Sequence, residues 1–208
     1  MFDKLVTRRR GGYCFEQNQL FLRALQALGF EARPLLARVW LGTPPATTPP
    51  RTHTLNLVTL DGQEWIADAG FGGSYTPPMP LIDGHEVETA DGARHRLARD
   101  DDHGWLLARK GKGESEWSPQ YSFSTDPVWA MDLVMANHYT ATAYQTRFTT
   151  FVVASIATEE GFASLVDRKL SRDGGPAELA SVDELRTALA ETFGIQLTDD
   201  EVRKLKLF

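Results

Sequence analysis

One cysteine, Cys14, stands in a chain of 208 residues, so an internal disulfide and a multi-cysteine metal site are both excluded. Long apolar runs are missing as well. No stretch reaches the roughly 18 residues that span a bilayer, and the opening MFDKLVTRRRGG lacks the apolar core of a secretory leader. A cytoplasmic protein without membrane contact is the default expectation. Positive charge is scarce: 22 Lys and Arg against 28 Asp and Glu leave a net charge of −6, no global field for nucleic acid. The basic clusters Arg8-Arg9-Arg10 and Arg109-Lys110-Gly111-Lys112 read as solvated surface. Internal repeats and low-complexity tracts are absent too.

What is present has the balance of an ordinary globular protein, 42% hydrophobic and 24% charged. The length suits one large domain or two to three small ones. Met1 to Thr7 is a fragment of helical pattern that Gly11-Gly12 breaks. From Cys14 the pattern is helical, with Phe21, Leu25 and Leu28 on one face and Gly29 at the stop. Residues 35–41 alternate as a strand. Gly42 to Thr52 is a Pro/Thr loop. Strands are expected at His53–Leu60 and Gln63–Ala69 around Asp61-Gly62, a strong hairpin signal. Further strands fall at Glu86–Ala90, Ala93–Leu97, Trp105–Arg109 and Ser115–Phe123, which together suggest a small antiparallel barrel or sandwich. Beyond Asp126-Pro127 the pattern predicts a helix over Val128–Asn137, strands over Phe148–Ala157 and Phe162–Leu170, and a loop at Gly174-Gly175-Pro176. Ser181-x-x-Glu184 opens a helix to about Phe193 with Gly194 at its end, and Thr198-x-x-Glu201 opens a last one.

The hairpin carries chemistry. With Asp61-Gly62 as a two-residue turn, Leu60 faces Gln63, Asp68 faces Leu55, and His53 lies two residues from Leu55 on the same strand. Side chains alternate along a strand, so His53 and Asp68 share a face as diagonal neighbours, roughly 7–8 Å apart at the backbone. An imidazole beside a carboxylate is held in one tautomer and favoured in its charged form. An exposed cross-strand ion pair is the competing reading of the same spacing. Cys14 sits where a helix begins, a position that favours an anion, and a neighbouring imidazolium would favour the thiolate further. The bland alternative for a lone thiol is a small buried apolar filler. His85, His95 and His103 fall in or near polar hairpins and read as exposed. His138 reads as a C-terminal helix cap. Trp40 is a candidate to approach the cleft.

The nine residues Arg10-Gly11-Gly12-Tyr13-Cys14-Phe15-Glu16-Gln17-Asn18 resemble the active-site cysteine motif of the arylamine N-acetyltransferases. Ala37-Arg38-Val39, Thr52-His53 and Asp68-Ala69-Gly70-Phe71-Gly72 follow in that family's order and at similar intervals. The resemblance is strong over about residues 4 to 80 and weaker through Asn137-His138-Tyr139-Thr140 to the end. It implies an α+β fold: a helical N-terminal remnant carrying the cysteine over 1–31, an antiparallel β-barrel with His and Asp over 32–127, and a C-terminal α/β lid over 128–208, around a papain-like catalytic core. It implies catalytic Cys14, His53 and Asp68, and ping-pong transfer of an acetyl group from acetyl-CoA to an arylamine or arylhydrazine through acetyl-Cys14. The Cys14 N–H would belong to an oxyanion hole. Phe71, Gly70, Gly72 and Thr52 are the implied substrate contacts, with Phe71 alternatively a barrel-core aromatic. No metal and no permanently bound cofactor are implied, and acetyl-CoA is a substrate. Arg10 and Glu16 are expected to form a structural ion pair.

Members of that family carry several dozen residues before the cysteine motif, most of the first helical bundle. The apolar face of the Cys14 helix is therefore expected to be exposed. Each such side chain is worth roughly 1.5–3 kcal/mol when buried, against a typical total of about 5–15 kcal/mol. The expectation is a less stable and less active form, or one that pairs with another chain. Three further readings stay open: a related acyltransferase or amide synthase on the same scaffold, a cysteine hydrolase, and an inactive binding remnant.

Overall fold

The computed structural model describes residues 1–43, 47–158, 161–172 and 175–208. The chain divides into two compact units, one formed by residues 13–140 and the other by residues 1–12 with 141–208.

The first unit opens with α1 (Cys14–Ala27). Eight strands follow: β1 (Glu31–Val39), β2 (Arg51–Leu60), β3 (Gln63–Ala67), β4 (Met79–Pro80), β5 (His85–Glu88), β6 (Arg94–Asp100), β7 (Gly104–Lys110) and β8 (Ser118–Phe123). Their order in the sheet is β4-β3-β2-β1-β8-β7-β6-β5, every pairing antiparallel, and the sheet nearly closes into a barrel. Asp61 and Gly62 both adopt positive φ, as a two-residue hairpin turn of this kind demands, and they set the register Leu60 to Gln63 through Asn56 to Ala67. The Pro/Thr loop is shorter than its composition suggests: Arg51 and Thr52 belong to β2, and residues 44–46 lie outside the described residues. The barrel interior is closed by Leu35, Leu55, Ile66, Leu97, Leu107 and Tyr121, each fully buried. At roughly 1.5–3 kcal/mol per buried side chain, this layer is the main stabiliser of the unit.

α1 leaves the face that periodicity marks only partly covered, as expected. Cys14, Phe15, Asn18 and Leu22 are buried, whereas Phe21 and Leu25 are half-buried and Leu28 is 77% exposed. Two stripes of the same helix carry apolar residues, and the one that meets Leu36 of β1 is the stripe containing Cys14. The unit continues into α2 (Ala130–Thr142), which starts and ends later than predicted, so His138 lies inside the helix rather than at its C-terminal end.

The second unit holds a short π-helical turn (Asp3–Thr7), α3 (Arg147–Thr150), and a four-stranded antiparallel sheet ordered β12-β11-β10-β9. Its strands are β9 (Val153–Thr158), β10 (Gly161–Val166), β11 (Lys169–Arg172) and β12 (Gly175–Glu178). Here the pattern misled in three places. Phe148 opens in α3 rather than a strand; Leu170 belongs to β11, beyond a turn; and Gly175-Pro176 is an edge strand, where a missing N–H is tolerated. Gly174 lies outside the described residues. α4 (Val182–Phe193) is capped by Ser181, whose hydroxyl accepts from the Glu184 N–H, and ends at Gly194 with φ +68°. α5 (Asp199–Arg203) opens on a full capping box between Thr198 and Glu201. Both helices pack on Leu165 and Leu170 through Leu185, Leu189 and Val202.

Candidate active site

Cys14 occupies the first position of α1. Tyr13 precedes it as N-cap in extended conformation, and the Glu16 carboxylate accepts the Tyr13 N–H, so the turn is fixed by local chemistry. The Tyr13 hydroxyl donates to Asn137 Oδ1 of α2, and burial, with the nearby Cys14 and Glu16, pushes the phenol up to about 12. Glu16 thus serves the cap, while Arg10 pairs with Glu201 at 3.0 Å. The Cys14 side chain is 3% exposed, and its Sγ lies 3.8 Å from the Thr52 carbonyl oxygen.

One turn further on, Asn18 is fully buried and saturated. Its Nδ2 donates to the Thr54 carbonyl at 2.6 Å and to Asp68 Oδ1 at 2.8 Å, and its Oδ1 accepts the Ala69 N–H at 2.9 Å. Asn56 Nδ2 donates back to the Asn18 carbonyl at 3.1 Å. One amide therefore locks α1 to β2 and to the segment leaving β3. Asp68 stands one residue past β3, and its Oδ1 also accepts the Gly70 N–H at 2.9 Å. Its Oδ2 lies 2.7 Å from His53 Nε2, with both side chains at most 3% exposed. The electrostatic influence of Cys14 also reaches the imidazole.

The electrostatics follow from these partners. Burial pulls the His53 imidazole down, but the charge and hydrogen bond of Asp68, followed by those of Cys14, outweigh it and raise the pKa from 6.5 to about 10. Burial pushes Asp68 up, and the His53 charge with hydrogen bonds from His53, Asn18 and Gly70 more than offsets it, so the carboxyl is held below its usual range. Tyr121 completes the enclosure. Its ring lies 5.1 Å from that of His53 and 4.9 Å from that of Phe71, which itself meets His53 edge-on at 5.1 Å. Among the described residues the fully buried Tyr121 hydroxyl has no well-formed hydrogen bond, and burial with the Asp68 charge holds its pKa well above 10.

The remaining sequence candidates divide. Phe71 packs against both the imidazole and the barrel core. Gly70 is a steric requirement: a Cβ there would sit 2.7 Å from Asn18 Nδ2 and 2.8 Å from Cys14 Cα. Thr52 contributes its carbonyl beside Cys14, and Gly72 is exposed. Trp40 donates through Nε1 to Ser122 Oγ and meets His103 edge-on at 5.0 Å. Sequence reasoning passed over Asn18 and Tyr121. A signal for Asn18 was available in its i+4 spacing from Cys14 on an otherwise apolar stripe. Elsewhere, His95 is 1% exposed rather than solvated. Among the described residues, no group of three or more His, Cys, Asp or Glu is arranged to hold a metal, and no helix is long and apolar enough to cross a membrane.

A buried thiol, imidazole and carboxylate brought together at a helix N-terminus on an antiparallel barrel define the class: an α+β protein with a Cys–His–Asp array. Comparison with known proteins narrows it. The N-acetyltransferase family model matches residues 1–202. The arylamine N-acetyltransferase of Escherichia coli K12 is 44% identical over 147 residues, 70% of this chain and 50% of that protein. The arylamine N-acetyltransferase of Mycolicibacterium smegmatis is 34% identical over 207 residues, 96% of this chain and 74% of that protein. The solved structure of the Mycobacterium marinum arylamine N-acetyltransferase in complex with CoA superposes with a TM-score of 0.87 at 34% identity, over 98% of this chain and 78% of that one. This chain belongs to the arylamine N-acetyltransferase family. It spans half the length of the Escherichia coli relative that it matches.

Proposed function

We propose that the chain transfers an acetyl group from acetyl-CoA to the nitrogen of an arylamine or arylhydrazine, with Cys14, His53 and Asp68 as the catalytic residues. The buried 2.7 Å contact between His53 and Asp68, with Cys14 against the same ring, carries this reading. With its pKa raised to about 10, His53 carries a proton at neutral pH, and in the proposed mechanism Cys14 reacts beside it as the thiolate. The thiolate attacks the thioester carbonyl, the C–S bond to CoA breaks, and the departing CoA thiolate takes the proton from His53, leaving acetyl-Cys14. The amine nitrogen then attacks the acetyl carbonyl, neutral His53 accepts the amine proton, and Cys14 leaves as the thiolate, restoring the pair. Asp68 holds the ring and its charge throughout. The Cys14 N–H, in the first turn of α1, would stabilise the oxyanion.

Phe71 gives the acceptor an aromatic wall beside His53, Gly70 and Gly72 allow the backbone to approach it, and Thr52 borders the thiol. Acetyl-CoA is a consumed substrate, in line with the CoA complex of the Mycobacterium marinum relative. A reactive free thiol suits the reducing cytoplasm, where we place the protein. The test is intact mass after incubation with acetyl-CoA alone, beside Cys14→Ala. An acetyl adduct that requires Cys14 and disappears on adding an arylamine supports the proposal. A folded protein that gains no adduct contradicts it. An adduct only from a carrier-bound or longer acyl donor assigns the scaffold to amide synthesis instead.

A further inference from the structure

Cys14 sits in the first turn of α1, and that turn lies at an end of its compact unit: the unit begins at Tyr13, one residue before the thiol. Helix ends fray, and the end of a folded unit is poorly ordered unless it is tied down. Asn18 secures the helix a full turn further on. The Glu16 carboxylate that accepts the Tyr13 N–H acts within the turn itself. Neither ties the cap residue to a part of the fold distant in sequence.

The Tyr13 side chain does. Its hydroxyl donates to Asn137 Oδ1 of α2, 124 positions away in sequence, with the Asn137 carbonyl oxygen at 3.5 Å. Its ring lies 5.6 Å from that of Phe15. Val128, with Leu133 and Ala136 of α2, packs on the cluster of Cys14, Phe15 and Leu36, so α2 rests on the turn that carries the thiol. The phenol is held up at about 12, so it remains a donor wherever His53, raised to about 10, is protonated. The bond therefore does not come and go with the charge of the imidazole. Asn137 also opens the segment Asn137-His138-Tyr139-Thr140, which the sequence marks without giving it a role.

We propose that Tyr13 is a positioning residue for acyl transfer: its hydroxyl, through Asn137, pins the first turn of α1 to α2 and so holds Cys14 in place beside His53. This rests on the acyl-transfer reading above. A displacement of about 1 Å near a reacting atom costs about a hundredfold in rate, and one hydrogen bond at the cap controls part of that.

The test is single-turnover acetylation of Cys14, read by intact mass at rising acetyl-CoA concentration, in the wild type, Tyr13→Phe, Asn137→Ala and the double variant. Tyr13→Phe keeps the ring against Phe15 and removes only the hydroxyl, and Asn137→Ala leaves the cysteine turn itself untouched. The rate at saturating donor should fall about tenfold in Tyr13→Phe, by less in Asn137→Ala because the backbone carbonyl remains as an acceptor, and no further in the double variant. The half-saturating concentration should stay where it is. An unchanged rate at saturation overturns the proposal whatever the melting temperature does, because the bond is then structural only. A loss confined to the half-saturating concentration makes Tyr13 a donor contact and also overturns it, as do losses that multiply in the double variant. If the folded wild type gains no acetyl group at any donor concentration, the acyl-transfer reading itself falls, an outcome distinct from the others.

Discussion

Two histidines lie buried in the same barrel and meet opposite fates. His53, on β2, is 3% exposed and sits against a carboxylate, a thiol and two aromatic rings. His95, on β6, is 1% exposed, and among the described residues neither of its ring nitrogens has a hydrogen-bond partner. Its neighbours are Arg109, paired across the strands and itself turned to Asp91 at 3.0 Å, and Asp91. Burial and then the Arg109 charge hold His95 down at about 4, while Asp91 only partly opposes them. Loss of solvent acts in the same direction on both rings. A directly bonded carboxylate reverses it for one and a cation reinforces it for the other. The first ring is held toward its charged form, and the second toward its neutral form.

The largest expected effect comes from removing what separates the two rings. Asp68→Asn should leave His53 in the condition of His95, neutral at pH 7 and wrongly oriented. Acetylation of Cys14 by acetyl-CoA should fall roughly a thousandfold or more, measured as a single-turnover rate. A fall of less than tenfold would show that Asp68 does not hold the ring. Next comes the helix–strand contact: Gly70→Ala inserts a Cβ within 2.8 Å of Cys14 Cα. It should cost about 1–3 kcal/mol in denaturant unfolding and slow transfer about a hundredfold, since the nucleophile must move. Asn18→Ala removes the donor to Asp68 and strands the Ala69 N–H and the Thr54 carbonyl. The expected loss of stability is about 3 kcal/mol, with a smaller loss of rate than Asp68→Asn.

The smallest effect belongs to His95, and its sign comes from linkage. The folded pKa of His95 lies below that of the unfolded chain, so its contribution is present above about 6.5 and is lost as pH falls through about 4. His53 runs the other way: its contribution is present below about 6.5 and is lost as pH rises through about 10. Asp68, held low, contributes above the ordinary carboxylate range and loses that contribution on acidification. His95→Leu should therefore flatten the fall in melting temperature between pH 6 and pH 4, on the scale of roughly one pKa unit's 1.4 kcal/mol or more, and leave the alkaline limb unchanged. An unaltered acid limb would mean that His95 is not buried neutral.

How much of this could be read from the sequence depends on the range of the interaction. The pairing of His53 with Asp68 followed from a two-residue turn and a period of two, both local, and the register Asn56 to Ala67 bears out that geometry. His95 was equally legible in principle, since a period of two puts it on one face with Ala93 and Leu97, both fully buried. Its polar identity and hairpin setting obscured the period. That the Phe21, Leu25 and Leu28 face of α1 stays partly uncovered was expected; that the Cys14 stripe packs inward was not legible, because it is decided by Leu36 and by the polar claim of Asn18 on β2. Tyr121 was hidden for the same reason: strand alternation places it in the core, but only the folded barrel brings its hydroxyl to Asp68.

The most direct measurement of the central contrast is a pH titration of the two imidazoles by NMR, assigned with His53→Gln and His95→Leu. A ring that stays protonated through pH 8 and one that stays neutral at pH 5 is the expected result. Two rings titrating together near pH 6.5 would contradict the account.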